Sequence, residues 1–303
     1  MTQHLIVGPG AMGRLLALHL AERHPVTLLG RRSLPRCQTL TTPEGECRHR
    51  SLECLTPDSL ERLDTSRLAA VHLVTKAYAA DAALATVAPR LPSDTPLVLW
   101  QNGFDSQPRL TRHRQGPTLC ATTTEGAYSY GDEGVVHAGH GQTWIGHLDG
   151  RHPELAAGLA ATLTATGIPA LAVDDIRVRL WHKLAVNAAI NPLVARFRLR
   201  NGQLREPRFR PMVDAIIEEV ASIMAAEAIP PPPHGFSTMI WEVIAATAEN
   251  RASMLQDTLA GRPTEHDAIL LPLLRAAREN GLETPQLSAL HRRLDTRQPS
   301  GKA

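Results

Sequence analysis

Lysine is nearly absent from this chain of 303 residues: Lys76, Lys183 and Lys302 are its whole complement, although lysine and arginine together number 32. A basic side carried by arginine and offset by 30 acidic residues leaves a formal charge of +2, which is not the electrostatic footprint of a nucleic-acid binder. The scarcity also marks where lysine is kept, because an ammonium group can give up its proton and a guanidinium cannot. Cysteine is sparse too. Cys37, Cys47, Cys54 and Cys120 show no CxxC spacing and no metal-type cluster with histidine, which points to reduced thiols and to no metal site. There is no basic leader, and Arg14, Glu22 and Arg23 interrupt the early apolar stretches before any could span a membrane. The expectation from these absences is a cytoplasmic globular protein with neither nucleic-acid nor membrane partners, long enough for two domains.

The first half reads as strands alternating with helices. His4 to Val7 is a short apolar strand, Ala11 to Arg23 a helix rich in leucine, and Pro25 to Leu29 a second strand, which together form a βαβ unit. Ala69 to Thr75, Pro96 to Trp100 and Thr118 to Thr124 are further strands, and Asp81 to Arg90 is a helix. A parallel sheet is the simplest arrangement. Spaced glycines from Glu125 to Gly146, with runs at Val135 to His137 and Gln142 to Ile145, suggest a hairpin-like extension. From about Val178 the pattern becomes helical, with Met212 to Glu227, His234 to Ala248, Glu265 to Asn280 and Pro285 to Asp295 as later helices. Pro230 to Pro233 reads as a rigid connector, and the tail from Arg297 is expected to fray.

Gly8-Pro9-Gly10-Ala11-Met12-Gly13 has the GxGxxG spacing, follows a strand and opens a helix. In that context Gly8 permits the tight turn, Gly10 lets the backbone approach a pyrophosphate, Gly13 lets helix and strand pack closely, and the helix N-terminus faces the phosphate charge. A glycine turn without a ligand is the plain alternative. At the end of the second strand, where selectivity for NAD calls for an acid, the chain has Gly30-Arg31-Arg32-Ser33. Arginine there pairs with a 2′-phosphate, so the cofactor is read as NADPH, against a solvated loop that merely begins with two arginines. Val74-Thr-Lys76 and Trp100-Gln-Asn102-Gly103 bring Lys76 and Asn102 to the carboxyl ends of two strands, where ligands of open parallel sheets sit; ordinary turn roles are the alternative.

In the helical half, Lys183, Asn187 and Asn191 recur at steps of four within an otherwise apolar run, which puts all three on one helix face among Leu184, Val186 and Ile190. Such a stripe lies against a cavity or interface, where lysine can give a proton to a carbonyl oxygen, unless the lysine snorkels to water from an amphipathic helix. Pro192 is expected to bias Asn191 away from helical geometry and end the stripe. A third motif runs from Thr247 through Asn250 and Ser253-Met-Leu-Gln-Asp257 to Pro263-Thr-Glu265, with Glu265 in a first helical turn, where the dipole alone would favour an acid. Arg196 to Gly202, around Asn201, is notably basic.

With GxGxxG, Thr75-Lys-Ala77, Gln101-Asn-Gly103, Lys183-x3-Asn187-x3-Asn191-Pro192 and Ser253-Met-Leu-Gln-Asp257 ahead of Thr264-Glu265, the chain closely resembles the ketopantoate reductase (2-dehydropantoate 2-reductase) family from about residue 4 to 295. The resemblance implies an α/β fold: an N-terminal Rossmann-type doubly wound parallel sheet over 1–170, then an all-helical C-terminal domain over 171–303 like that of 6-phosphogluconate dehydrogenase. It implies NADPH-dependent reduction of 2-dehydropantoate to (R)-pantoate, with Lys183 as proton donor and Glu265 as the acidic partner of lysine and cofactor. Asn102, Asn187, Asn191, Asn201, Asn250 and Ser253 match substrate-binding positions. Gly8, Pro9, Gly10, Ala11, Met12, Gly13, Arg31, Lys76, Asn102, Ala127 and Glu265 match cofactor-binding ones. Two other readings stay open: a related reductase of another branched 2-keto acid, and a nucleotide-binding regulatory protein without turnover. Monomer and homodimer are both compatible with the sequence.

Overall fold

All but the first residue of β1 (Gln3–Val7) and all of β2 (Val26–Leu29) are buried, the continuous apolar signature of strands covered on both faces. The computed structural model describes residues 2–295, and the tail from Arg297 lies outside them. Residues up to Gln101 together with Ser106–Arg177 form one compact unit; Asn102–Asp105 and the chain from Val178 form a second.

The first unit contains α1 (Ala11–Leu20), β3 (Cys37–Thr41), β4 (Cys47–Ser51), β5 (Glu53–Leu55), β6 (Leu68–Leu73), α2 (Ala80–Val87), β7 (Leu97–Leu99), α3 (Ser106–His113), β8 (Thr118–Thr123), β9 (Gly126–Tyr130), β10 (Gly134–Gly139), β11 (Thr143–Gly146), α4 (Pro153–Ala165) and β12 (Ala170–Ala172). Its main sheet has eight strands in the order β12-β11-β8-β7-β6-β1-β2-β5. All neighbours are parallel except β11, which runs antiparallel to β8. After β1 the chain builds β2 on one side and β6 on the other, so the order reverses at the β1/β6 boundary, the switch point at which doubly wound sheets bind nucleotides. Leu15, Leu16 and Leu18 of α1 and Ala156, Leu159 and Leu163 of α4 share one core with Ile6, Val98 and Leu119.

Two sequence expectations change here. Val135–His137 pairs with β9 as a hairpin, but the run after it, β11, joins the main sheet instead of closing that hairpin. The hairpin belongs to a second sheet of four strands, β4-β3-β10-β9. The first unit also extends past residue 170, because β12 pairs with β11 and completes the sheet edge.

The sheet interior carries one polar chain. Trp100 Nε1 donates to His72 Nδ1 at 3.3 Å, and His72 Nε2 lies 3.1 Å from His4 Nδ1. The indole can only donate, so His72 carries its proton on Nε2 and passes a hydrogen bond to His4. Burial pushes His72 well below the usual imidazole range and His4 down to about 4, with His24 adding to the latter.

The second unit is helical: α5 (Ile176–Phe197, which begins two residues before the unit does), α6 (Arg210–Ala226), α7 (Gly235–Ala246), α8 (Ser253–Leu259), α9 (His266–Glu279) and α10 (Pro285–Asp295). Leu184, Ala188, Ile190, Leu193 and Val194 of α5 pack in one core with Val213, Ile216 and Val220 of α6 and Ile269, Leu270 and Leu273 of α9. That burial explains a further correction. Helix α5 continues through Pro192 to Phe197, and Asn191 is helical. An interior proline costs about 3 kcal/mol, which the buried residues on both sides of it offset. No described helix is long and apolar enough to cross a membrane.

Candidate active site

Gly8 stands directly after β1 with φ +101°, and a Cβ there would meet Thr75 Cγ2 and N, each at 2.8 Å. The left-handed backbone and the approach of Thr75, two residues past the end of β6, both require glycine. Gly13, in the first turn of α1, presses on the Gly8 carbonyl, whereas nothing lies within 4 Å of a Cβ built on Gly10. Gly10 therefore opens space beside the first turn of α1, whose free N–H groups and dipole favour an anion. Pro9, Ala11 and Met12 complete the turn, and Lys76 follows the neighbouring strand end, β6.

The two arginines after β2 are sorted by a partner far away in sequence. Arg32 forms a two-pronged ion pair with Asp132, at the turn between β9 and β10, which raises the pKa of Arg32 and lowers that of Asp132. Arg31 is exposed beside it and makes no such pair. Arg14, buried in α1, donates to the Gly131 carbonyl at 3.1 Å, leaving Nε and Nη1 without partners. Ala127 lies on β9 opposite His137.

In the second unit, Lys183 is half-buried on α5, and Asn187 and Asn191 stand one and two turns further along the same face, Asn191 buried. Desolvation pushes the Lys183 ammonium down to about 8, and the charge of Glu265 opposes that shift. Glu265 is 5% exposed and occupies the position before α9, one residue earlier than the first turn expected for it. Asn102 Nδ2 donates to Glu265 Oε2 at 3.2 Å. The short segment carrying Asn102 is held on both sides. Phe104 packs its ring 4.8 Å from that of Trp181 on α5, and Gly103, at φ +86°, abuts the Ala268 carbonyl of α9.

Asn201 is also buried: its amide donates to Thr247 Oγ1 at 2.9 Å, its backbone N–H donates to the Asn250 carbonyl at 3.1 Å, and its Oδ1 has no partner. Ser253 begins α8 and is exposed, as is Asn250. The structure thus gathers Lys183, Glu265 and Asn102, and separately Asn201 and Asn250. Asp132 has no place in the sequence motifs, and Thr247 and Gly103, which do, gain their contacts with Asn201 and the Ala268 carbonyl only in the fold. Asp132 carries no local signal, since its partner is 100 residues away.

These two arrangements put the chain in the class of dinucleotide-dependent oxidoreductases that combine a doubly wound domain with a helical one. Residues 4–150 match the family described as Ketopantoate reductase PanE/ApbA, and residues 175–298 match Ketopantoate reductase PanE/ApbA C terminal. The 2-dehydropantoate 2-reductase of Vibrio cholerae is 36% identical over 301 residues, covering 98% of each chain. Two solved structures share the fold: the 2-dehydropantoate 2-reductase of Geobacter metallireducens (TM-score 0.87, 22% identity, 97% and 99% of the chains) and a D-mandelate dehydrogenase with NADH and anilino(oxo)acetate (0.84, 22%, 98% of each). The chain belongs to the ketopantoate reductase family, whose members are NADP-dependent oxidoreductases.

Proposed function

We propose that this chain reduces 2-dehydropantoate to (R)-pantoate with NADPH, and that Lys183 donates the proton. The observation that carries the proposal is Lys183 itself, half-buried, held near pKa 8 and facing the charge of Glu265. A donor with that value is protonated at neutral pH yet acidic enough to transfer its proton to an alkoxide as it forms, and its charge stabilises that oxygen meanwhile. Glu265 keeps the ammonium charged, and Asn102 keeps the Glu265 carboxylate oriented through its amide.

The cofactor supplies the hydride delivered to the keto carbon. The turn Gly8, Pro9, Gly10, Ala11, Met12, Gly13 fits a pyrophosphate, because the backbone is open at Gly10 and the first N–H groups of a helix have no intrahelical partner. Arg31 takes the 2′-phosphate, since Asp132 already occupies Arg32. The family resemblance adds Lys76 and Ala127 of the first unit, and Asn102 and Glu265 of the second, as cofactor-binding positions. On the substrate side, the unpartnered Asn201 Oδ1 accepts a hydroxyl hydrogen bond, while Asn187, Asn191, Asn250 and Ser253 hold the remaining hydroxyl and carboxylate groups. One chain carries every residue invoked, so monomer and homodimer alike are compatible with the chemistry, and a cytoplasmic place of action goes with it.

The rival substrate is another branched 2-keto acid, because the fold alone does not choose the side chain: the D-mandelate dehydrogenase shares it. Steady-state assays with NADPH and a panel of 2-keto acids decide between them. 2-Dehydropantoate is expected to give the highest kcat/KM, and the gene to rescue growth of a pantothenate auxotroph. Turnover of 2-dehydropantoate no better than that of simple analogues overturns the named substrate.

A further inference from the structure

The geometry points to a divalent-cation site of the zinc class on the four-stranded sheet, ligated by Glu125, His137 and His140, with Glu44 as the fourth donor. These residues come from three places in the chain: the segment ahead of β9, the end of β10, and the β3–β4 turn. His137 and His140 are three residues apart, a local pair, but the carboxylates that complete the set lie 12 residues before His137 and 96 before His140.

His137 Nε2 and Glu125 Oε2 are 2.6 Å apart, with both side chains buried (1% and 0% exposed). On the outer side, His140 Nε2 lies 3.0 Å from Glu44 Oε1, and both are exposed. The two imidazole rings meet edge to face at 4.9 Å, and one donor atom from each of Glu125, His137 and His140 falls within 4.8 Å of the others. A second observation marks the place as a ligand site rather than an ion pair. Glu125 Oε1 is buried and has no hydrogen-bond partner. The His137 ring reaches only Oε2, and a carboxylate oxygen left without a partner in the interior is costly.

A cation supplies the missing partner. Imidazole nitrogen and carboxylate oxygen bind Zn²⁺ at about 2.0–2.2 Å, which sets neighbouring donors of a tetrahedron roughly 3.3 Å apart. The nitrogen–oxygen separations of 2.6 and 3.0 Å widen on binding, and the donors of Glu125, His137 and His140, now within 4.8 Å of one another, close around the ion. His140, exposed beyond the end of β10, is the ligand that swings inward. Neutral imidazole with carboxylate suits zinc and the late transition metals over magnesium or calcium. Bound there, the ion fastens the β3–β4 turn to β10 and to the segment entering β9.

The test uses the full chain after dialysis against EDTA. Titration with Zn²⁺, followed by calorimetry and by thermal unfolding, is expected to show one ion per chain and a rise in Tm. His140→Ala and Glu125→Gln are each expected to weaken binding about tenfold or more and to abolish the Tm rise. Should Glu125→Gln fail to fold, His140→Ala decides alone, because that side chain is exposed. His291→Ala separates this place from the other metal-competent group, His266, Asp267 and His291. Absence of binding, equal affinity in His140→Ala, or a loss confined to His291→Ala overturns the site.

Discussion

The amide of Asn102 donates to Glu265 Oε2 across 3.2 Å, joining residues 163 apart in sequence. Asn102 stands on the four-residue segment that the helical unit takes from the strand-rich half of the chain, and Glu265 is the acid whose charge opposes the desolvation of Lys183. The lysine, the acid and the amide therefore form one electrostatic group.

Lys183→Ala should lower kcat by about 10²- to 10⁴-fold, the range for a lost general acid, with NADPH affinity nearly unchanged. Stopped-flow and fluorescence titration report the two quantities separately. In the wild type the reductive rate should fall as pH rises through about 8, because only the protonated amine donates. Wild-type turnover in the alanine variant would falsify the mechanism.

Glu265→Gln removes the charge that holds the Lys183 pKa up, so the alkaline limb should move below pH 8. Full pH profiles of kcat/KM for both proteins measure this directly. An unmoved limb would mean that Glu265 does not act through the lysine.

Arg31→Ala should weaken NADPH by roughly 10- to 100-fold, the scale of one charge-assisted hydrogen bond, and leave NADH little changed. Arg32→Ala should cost NADPH less, because that guanidinium is already paired with Asp132. Dissociation constants for both nucleotides against both variants give the comparison. Equal losses for NADPH and NADH in Arg31→Ala would remove the phosphate assignment.

Gly103→Ala forces a side chain into a backbone at φ +86° and against the Ala268 carbonyl. The loop must retreat from α9 and take Asn102 with it. A loss of about 1–3 kcal/mol in stability is expected, together with a fall in kcat larger than that of a surface Gly→Ala control such as Gly45. Tm and kcat measured on the two variants settle it.

His4 and His72 are held neutral by burial, His4 near pKa 4, whereas the unfolded chain takes up protons from about 6.5. Between those values the unfolded state binds more protons, so stability declines as pH falls through that window. The double variant His4→Leu, His72→Leu should flatten the Tm profile between pH 6.5 and 4.

The βαβ start, the glycine turn and the later helices are legible because each has a strong local period or a residue that few backbones demand. The four-stranded sheet is not. In β4, Cys47-Arg-His-Arg-Ser51, every residue is exposed and no apolar alternation marks a strand. β5 and β12 are three residues each, too short for any pattern. The lysine stripe is visible from spacing alone, but Pro192 misleads there. A local rule predicts a stop, and the tertiary core on both sides carries the helix through. Asp132 beside Arg32 and Thr247 beneath Asn201 arise only from folding, since nothing near them in sequence announces their partners.

The lowered pKa of Lys183 also makes it chemically addressable. With a value of about 8, roughly a tenth of its amine is neutral at pH 7, against well under a thousandth for an ordinary lysine. In a chain with only two other lysines, an amine-selective electrophile becomes a reporter for this one side chain, and protection from labelling reads out what occupies the space in front of it.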